Sequence, residues 1–256
     1  MSVWSTVRAY LRYRNKSVTK HGVHSPFVFD LVTKTLPVDH TNYGDFTAEK
    51  WRAECLANNS SINVTDFGTG TSGPRLVSTI AKGAAKSPKQ GRLLYRLVKR
   101  FQPKTILELG TSLGISAQYM REGAPEAKFI SIEGCPETAR LAQEGMKKNN
   151  VSVDIRVGNF TSALTGVLDD LKTIDFVYID GNHRRQPTLD YFRLIRQYAH
   201  NKTVFIFDDI HWSLEMEEAW RTICEDSTVH VTLDVFHFGI VILRPEQVKE
   251  HFVLRW

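Results

Sequence analysis

The sequence predicts a doubly wound α/β fold, in which a mostly parallel sheet of seven strands follows an N-terminal helical cap. From Lys104 onward, short apolar runs alternate with helical patterns of about 10 to 15 residues, which is typical of βαβ units. Before that point the patterns are mainly helical. We therefore place a helical cap at residues 1–103 and a sheet domain at residues 104–256.

The predicted strands are short apolar runs, and the helices of the cap are amphipathic stretches bounded by proline or polar residues. The strands are Thr105–Leu109, Lys128–Ile132, Val153–Val157, Phe176–Ile179, Thr203–Phe207, Val229–Leu233 and Phe236–Leu243. The cap helices are Val3–Tyr13, Pro26–Leu36 and Phe46–Asn58, followed by helical pieces on either side of Pro88. Only Asp234 and Val235 separate the last two strands, so this pair is expected to be antiparallel.

Composition and charge exclude several classes of protein. Hydrophobic residues make up 42% and charged residues 24% of the 256 residues, which is ordinary globular usage. No apolar run is long enough for a membrane span, and three scattered cysteines predict reduced thiols in the cytoplasm. Residues 1–103 carry 16 Lys+Arg against 6 Asp+Glu, whereas residues 104–256 carry 17 against 22. Charge alone is a weak predictor of nucleic-acid binding, so we expect no nucleic-acid partner.

The turn after the first strand of the sheet domain carries features of a nucleoside site. The segment Glu108–Ser116 (ELGTSLGIS) places glycines at positions 110 and 114, ahead of a helix N-terminus. Glu133 ends the next strand, where a carboxylate accepts hydrogen bonds from both ribose hydroxyls. The third glycine of the dinucleotide fingerprint is missing, so an adenosine that carries an amino acid fits better than a pyrophosphate.

A second glycine-rich stretch, Val64–Gly73, also follows an apolar run. No strand with a terminal acid follows it at the distance that a ribose contact requires. We interpret this stretch as a lid or turn near the mouth of the active site.

Carboxylates and imidazoles follow the fourth and fifth strands of the sheet domain. Asp180 and His183 follow the fourth strand, and Asp208, Asp209 and His211 follow the fifth. Because the carboxyl ends of parallel strands meet at one edge, we expect these groups to converge. Three carboxylates suit Mg²⁺ or Ca²⁺, although aspartates at such turns also cap helices, and this alternative stays open.

These motifs resemble those of class I S-adenosylmethionine-dependent methyltransferases. The segment ELGTSLGIS resembles the first motif of that superfamily, residues 130–133 (ISIE) the second and residues 157–160 (VGNF) the third. Within the superfamily, residues 104–243 are most similar to the catechol-type and macrolide-sugar O-methyltransferases. The resemblance implies a Rossmann-like fold.

The resemblance also implies which residues bind the cofactor. Glu133 would hold the ribose, Phe160 would lie near the adenine, and Gly110, Ser112 and Ser116 would hold the amino-acid end. The full set is Glu108, Gly110, Thr111, Ser112, Gly114, Ser116, Glu133, Gly134, Gly158, Asn159, Phe160 and Asp180. Asn159 stands where many of these enzymes carry an acidic residue.

The implied metal ligands are Asp180, Asp208 and Asp209, of which the last is Asn in the catechol-type enzymes. His183 takes the position of the catechol-type catalytic lysine, so it is the first choice for the general base, and Asp180 belongs to the same catalytic set. His211 is the second choice for the base; it could equally orient the Asp pair or contact the substrate.

The expected function is that of an S-adenosylmethionine-dependent O-methyltransferase acting on a hydroxylated small molecule, with Mg²⁺ assistance left open. The sequence Asp-Gly-Asn-His after the fourth strand differs from the Asn-Pro-Pro-Tyr type of amino-methylating enzymes. Two alternatives stay open: N-methylation of a small molecule or RNA, and a non-catalytic module that binds RNA or lipid. We expect a cytoplasmic protein, with the segment Phe236–Phe238 as a candidate edge for a homodimer.

Overall fold

The computed structural model describes residues 3–37, 45–67 and 70–256, with side chains from residue 6 of the first helix onward. Its helices are α1 (Val3–Lys16), α2 (Pro26–Lys34), α3 (Thr47–Ala57), α4 (Val77–Gly83), α5 (Pro88–Phe101), α6 (Ile115–Gly123), α7 (Pro136–Lys148), α8 (Phe160–Leu171), α9 (Arg185–Arg196) and α10 (Leu214–Glu225). Its strands are β1 (Ser61–Val64), β2 (Gly73–Leu76), β3 (Thr105–Leu109), β4 (Lys128–Glu133), β5 (Asp154–Val157), β6 (Ile174–Ile179), β7 (Ala199–Asp208), β8 (Val231–Asp234), β9 (Phe238–Ile242) and β10 (Glu250–Val253).

The described chain forms two compact units, which we name by their place in the sequence. The middle unit is Val38–Leu171, and the terminal unit combines Met1–Pro37 with Lys172–Trp256. The helices of the predicted cap are therefore divided between the two units. The boundary between a helical cap and a sheet domain at residue 103 stays a prediction.

The middle unit contains the parallel strands β3, β4 and β5 in that order. Ile106, Leu107 and Leu109 of β3 are all buried, as expected for a parallel strand that is covered on both faces. A separate antiparallel hairpin joins β1 to β2. Helix α3 packs against α4 and α6, and the buried side chains of Phe46, Trp51 and Tyr119 belong to one cluster there.

The terminal unit contains five strands in the order β10-β8-β9-β7-β6. Strands β6 and β7 are parallel, whereas β9 is antiparallel to both β7 and β8, which confirms the predicted antiparallel pair. Strand β10, which pairs in parallel with β8, was not predicted, because the sequence Glu-His-Phe-Val has little apolar character.

The segment Phe236–Phe238 is not a free edge, contrary to our expectation. Strand β9 lies between β7 and β8, so its backbone is paired on both sides. Phe238 is buried, and the ring of Phe236 packs against the rings of Tyr10 and Tyr13 in α1. The aromatic side chains of this segment therefore pack within the terminal unit.

Apart from the β1–β2 hairpin, the described residues contain eight strands in place of the predicted seven, in the mostly parallel, doubly wound α/β fold that the sequence predicts. None of the described helices combines the length and the apolar character that a membrane span requires.

Candidate active site

The glycine turn between β3 and α6 bends through left-handed backbone conformations. The φ angles are 102° at Gly110, 48° at Ser112 and 74° at Gly114. A Cβ atom at Gly114 would also lie 2.9 Å from Cε of Met146 and 3.0 Å from Cβ of Ala142. Gly114 therefore serves both the conformation of the turn and its close approach to α7.

The carboxylate of Glu133 lies against this turn. Its Oε2 atom accepts a hydrogen bond from the backbone N–H of Ser112 at 2.7 Å, and Oε1 accepts one from Cys135 at 2.8 Å. A carboxylate has about four acceptor positions, so these two bonds are compatible with ribose hydroxyls as further donors. Glu133 thus lies beside the glycine turn, and its contact with a ribose stays a prediction.

Glu108 and Ser116 support the turn from the interior of the middle unit. Glu108 is fully buried and accepts hydrogen bonds from Ser116 Oγ at 2.5 Å and from Ser131 Oγ at 2.6 Å. The hydroxyl of Thr111 bonds to the same Ser131 hydroxyl. These side chains bond to one another, so the direct cofactor contacts implied for Glu108, Thr111 and Ser116 stay predictions.

Trp51 in α3 is a supporting residue that sequence reasoning missed. Its indole N–H donates to the carbonyl oxygen of Leu113, inside the glycine turn, at 2.7 Å. Its ring lies against α7, where a Cβ atom at Gly145 would be 2.3 Å from the indole. No local motif connects residue 51 with residue 113, so only the burial pattern of α3 could have suggested this contact.

The third motif begins α8. The backbone N–H of Gly158 donates to the Glu133 carbonyl at 2.9 Å, which joins this motif to the end of β4. The Oδ1 atom of Asn159 accepts from the N–H of Thr161 at 2.9 Å, so this side chain satisfies a donor in the first turn of the helix. Phe160 is half-buried at the start of α8.

In the terminal unit, Asp180, His183 and Asp208 form a compact group. Their ligand atoms all lie within 4.8 Å of one another, and Nε2 of His183 is 3.7 Å from Oδ1 of Asp180. The hydroxyl of Tyr178 donates to Oδ2 of Asp180 at 3.1 Å. Two carboxylates and one imidazole form a donor set that fits a divalent cation.

The structure separates Asp209 from that group, unlike the implied ligand set. Asp209 has a left-handed backbone with φ of 52°, and its N–H donates to the carbonyl of His237 at 2.8 Å. Asp209 is not among the residues whose ligand atoms lie together in this group. His183 takes the third place in the group instead.

The alternative that these aspartates only cap helices does not fit the helix boundaries. The N-cap residue of α9 is Arg184, and that of α10 is Ser213, whose hydroxyl accepts from the N–H of Met216. Asp180 and Asp208 both precede these caps. Neither aspartate is therefore the N-cap residue of α9 or α10.

His211 has hydrogen bonds at both ring nitrogens. Nε2 lies 2.8 Å from Oδ2 of Asp234, and Nδ1 lies 3.2 Å from Oε1 of Glu217. Burial alone would lower the pKa of His211, but the hydrogen bonds and charges of Asp234 and Glu217 together raise it. Arg12 donates to both oxygens of Glu217, at 2.8 Å and 3.0 Å. The two carboxylates thus favour the protonated form of this imidazole, and its role as a base stays a prediction.

Part of the chain matches a known domain family. Residues 107–210 match the family model of a methyltransferase domain. Over 128 residues the chain is 29% identical to a catechol O-methyltransferase from Niastella koreensis, and over 134 residues 27% identical to one from Mycobacterium tuberculosis. The alignments cover 48% and 49% of this chain and 57% of each relative, so this chain spans little more than half of their length.

A solved O-methyltransferase structure has the same fold. The structure from Bacillus cereus in complex with SAH superimposes with a TM-score of 0.60 at 19% identity, over 80% of this chain and 94% of that chain. Residues 107–210 thus match a methyltransferase domain, and the solved structure shares the fold of this chain. The resemblance inferred from the three motifs is confirmed.

Proposed function

We propose that the protein is an S-adenosylmethionine-dependent O-methyltransferase that acts on a hydroxylated small molecule. The observation that carries the proposal is the carboxylate of Glu133 held against the left-handed glycine turn of a methyltransferase domain. Relatives named catechol O-methyltransferase support oxygen as the acceptor atom.

S-adenosylmethionine would supply a methyl group that its sulfonium already activates. The residues of the middle unit would bind and orient this cofactor. Glu133 would accept the ribose hydroxyls, the turn Gly110–Gly114 would hold the amino-acid end, and Gly158, Asn159 and Phe160 would surround the base. Catalysis would then depend on positioning the acceptor oxygen for an in-line displacement.

Asp180 and Asp208 would hold a divalent cation such as Mg²⁺, and such a cation would supply positive charge that lowers the pKa of the acceptor hydroxyl. We assign the base to His183, whose Nε2 atom would accept the acceptor's proton. The carboxylate of Asp180, 3.7 Å from that nitrogen, would stabilise the resulting imidazolium. In this assignment His211 only positions its neighbours.

The proposal is tested by measuring methyl transfer from S-adenosylmethionine to a panel of catechols, phenols and sugars. We expect S-adenosylhomocysteine to form with hydroxylated acceptors and chelation by EDTA to slow it. The Asp180→Asn variant should lower kcat, whereas Asp190→Asn, which changes an exposed carboxylate on α9, should not. Transfer to amines alone would favour N-methylation over this proposal.

The variant His183→Ala separates the two roles open to this imidazole. If His183 acts only as the base, the variant should have a lower kcat and an unchanged affinity for Mg²⁺. If His183 is also the third metal ligand, the variant should lose both activity and affinity for Mg²⁺.

A cytoplasmic location is part of the proposal and is supported by the scattered positions of the three cysteines, all of which carry free thiols. A homodimer stays a prediction to which no surface is assigned.

A further inference from the structure

The hairpin of β1 and β2 is anchored on the start of α7, within the middle unit. The N–H of Asn63 donates to Oε2 of Glu137 at 3.2 Å, and the N–H of Thr65 donates to Sγ of Cys135 at 3.4 Å. The thiol of Cys135 in turn donates to the carbonyl of Asn63 at 3.5 Å. These bonds fix β1 beside the residues that directly follow Gly134.

The ring of Phe67, just beyond β1, occupies the space of a side chain at position 134. A Cβ atom at Gly134 would lie 2.8 Å from Cδ2 and 3.2 Å from Cε2 of that ring. Gly134 is not among the residues with positive φ, so its backbone does not require a glycine. The close approach of the ring explains why position 134 has no side chain.

The ring of Phe67 is also partly exposed. Half of the surface of this residue (50%) is accessible to solvent. The half-exposed ring lies next to Gly134. Gly134 directly follows Glu133, the residue assigned to the ribose.

We propose that Phe67 is part of the cofactor site and forms one wall of the subsite for the adenine base. The inference rests on the proposed function, because it requires Glu133 to hold a nucleoside. Aromatic rings bind purines by stacking, a contact that every base face allows. The hairpin would thus supply a side chain that the strand–helix turn at Glu133 and Gly134 lacks.

This assignment gives a role to the glycine-rich stretch Val64–Gly73, which we interpreted from the sequence as a lid or turn. Residues 68 and 69 lie outside the described part of the chain, and the argument uses only Phe67 and the anchored strand before it. Phe67, within this stretch, is then a wall of the cofactor site.

The test is calorimetric titration of S-adenosylhomocysteine, and separately of adenosine, into the purified full chain. Phe67→Ala should weaken both ligands roughly 10-fold or more, since both carry the base. Phe67→Trp should keep the affinity because it keeps a stacking surface. Leu76→Ala is the matched control, since it removes a similarly exposed side chain (44%) from the same hairpin and should change neither affinity.

A second variant tests the pairing of the two positions. Gly134→Leu should displace the Phe67 ring and so weaken the binding of both ligands. The same substitution should weaken binding less in a protein that already carries Phe67→Ala. Thermal unfolding of each variant shows whether its fold is retained.

Unchanged binding by Phe67→Ala, with clear binding by the wild type, overturns this inference and leaves the proposed function standing. Equal losses in Phe67→Ala and Leu76→Ala also overturn it, because they would reflect only the integrity of the hairpin. Failure of the wild type to bind S-adenosylhomocysteine overturns the proposed function, and this inference with it.

Discussion

The N–H of Ser112 donates to the carboxylate of Glu133 at 2.7 Å, although 21 residues separate the two. The left-handed conformation of Ser112 costs about 1 to 2 kcal/mol for a residue with a Cβ atom. A hydrogen bond to a charged group contributes about 1.5 to 3 kcal/mol, which is enough to offset that cost. The turn and the carboxylate are therefore held in one arrangement before any ligand binds.

Replacement of Gly114 by alanine should destabilise the protein by about 2 to 4 kcal/mol. The added Cβ meets Met146 and Ala142 and sits at a φ of 74°, so overpacking and backbone strain act together. Urea denaturation measures the loss. The matched control is Gly166→Ala in α8, where a Cβ meets nothing within 4 Å, and this variant should be slightly more stable. Equal stabilities for the two variants would contradict the packing argument.

Divalent-cation binding should depend on Asp180 and Asp208 and not on Asp209. We expect Asp180→Asn and Asp208→Asn each to weaken Mg²⁺ binding about 10-fold or more in a calorimetric titration, because each removes a carboxylate from the group. Asp209→Ala, one residue along, is the control and should bind like the wild type. A loss in Asp209→Ala as large as those in Asp180→Asn and Asp208→Asn would restore the ligand set implied by the family resemblance.

The contribution of His211 to stability should decrease as the pH rises. Asp234 and Glu217 raise its pKa above the ordinary value of 6.5, so its contribution is fully present below that value. It is lost as the pH passes through the higher pKa of the folded state. The charged groups that face His211 and set its pKa are Glu217 on α10 and Asp234 at the end of β8. Arg12 on α1 is paired with Glu217.

Substitution by glutamine tests this dependence. We expect His211→Gln to lower the free energy of unfolding by about 1 kcal/mol or more near pH 6, and by much less near pH 9. Chemical denaturation at both pH values measures the difference, with the exposed His21→Gln as control. A difference that grows with pH would show that His211 is neutral in the folded protein.

Strands and strand ends were predictable because their determinants are local in the sequence. The apolar run from Thr105 to Leu109 predicts β3 with its observed bounds. Parallel pairing then brings together side chains at strand ends. The proximity of Asp180 and Asp208 could therefore be predicted from the sequence alone. Strand β10 lacks such a run and was missed.

Contacts between distant segments were not predictable. Trp51 bonds to Leu113 and Phe67 packs on Gly134, and no periodic pattern connects either pair. The consecutive carboxylates Asp208 and Asp209 appeared equivalent in the sequence, yet the direction of each side chain depends on the turn after β7. The two carboxylates around His211 likewise come from α10 and β8, so only the folded chain shows that both nitrogens are engaged.

The most direct test of the central claim is calorimetric titration of S-adenosylhomocysteine into the wild type and into Glu133→Ala. Loss of a hydrogen bond to a charged group should weaken binding by about 10- to 100-fold. Glu144→Ala, which changes an exposed carboxylate on α7, is the control and should bind like the wild type. Clear binding by the wild type with this loss in Glu133→Ala is the predicted result. No binding by the wild type, or equal binding by Glu133→Ala, would contradict the assignment of this turn as the cofactor site.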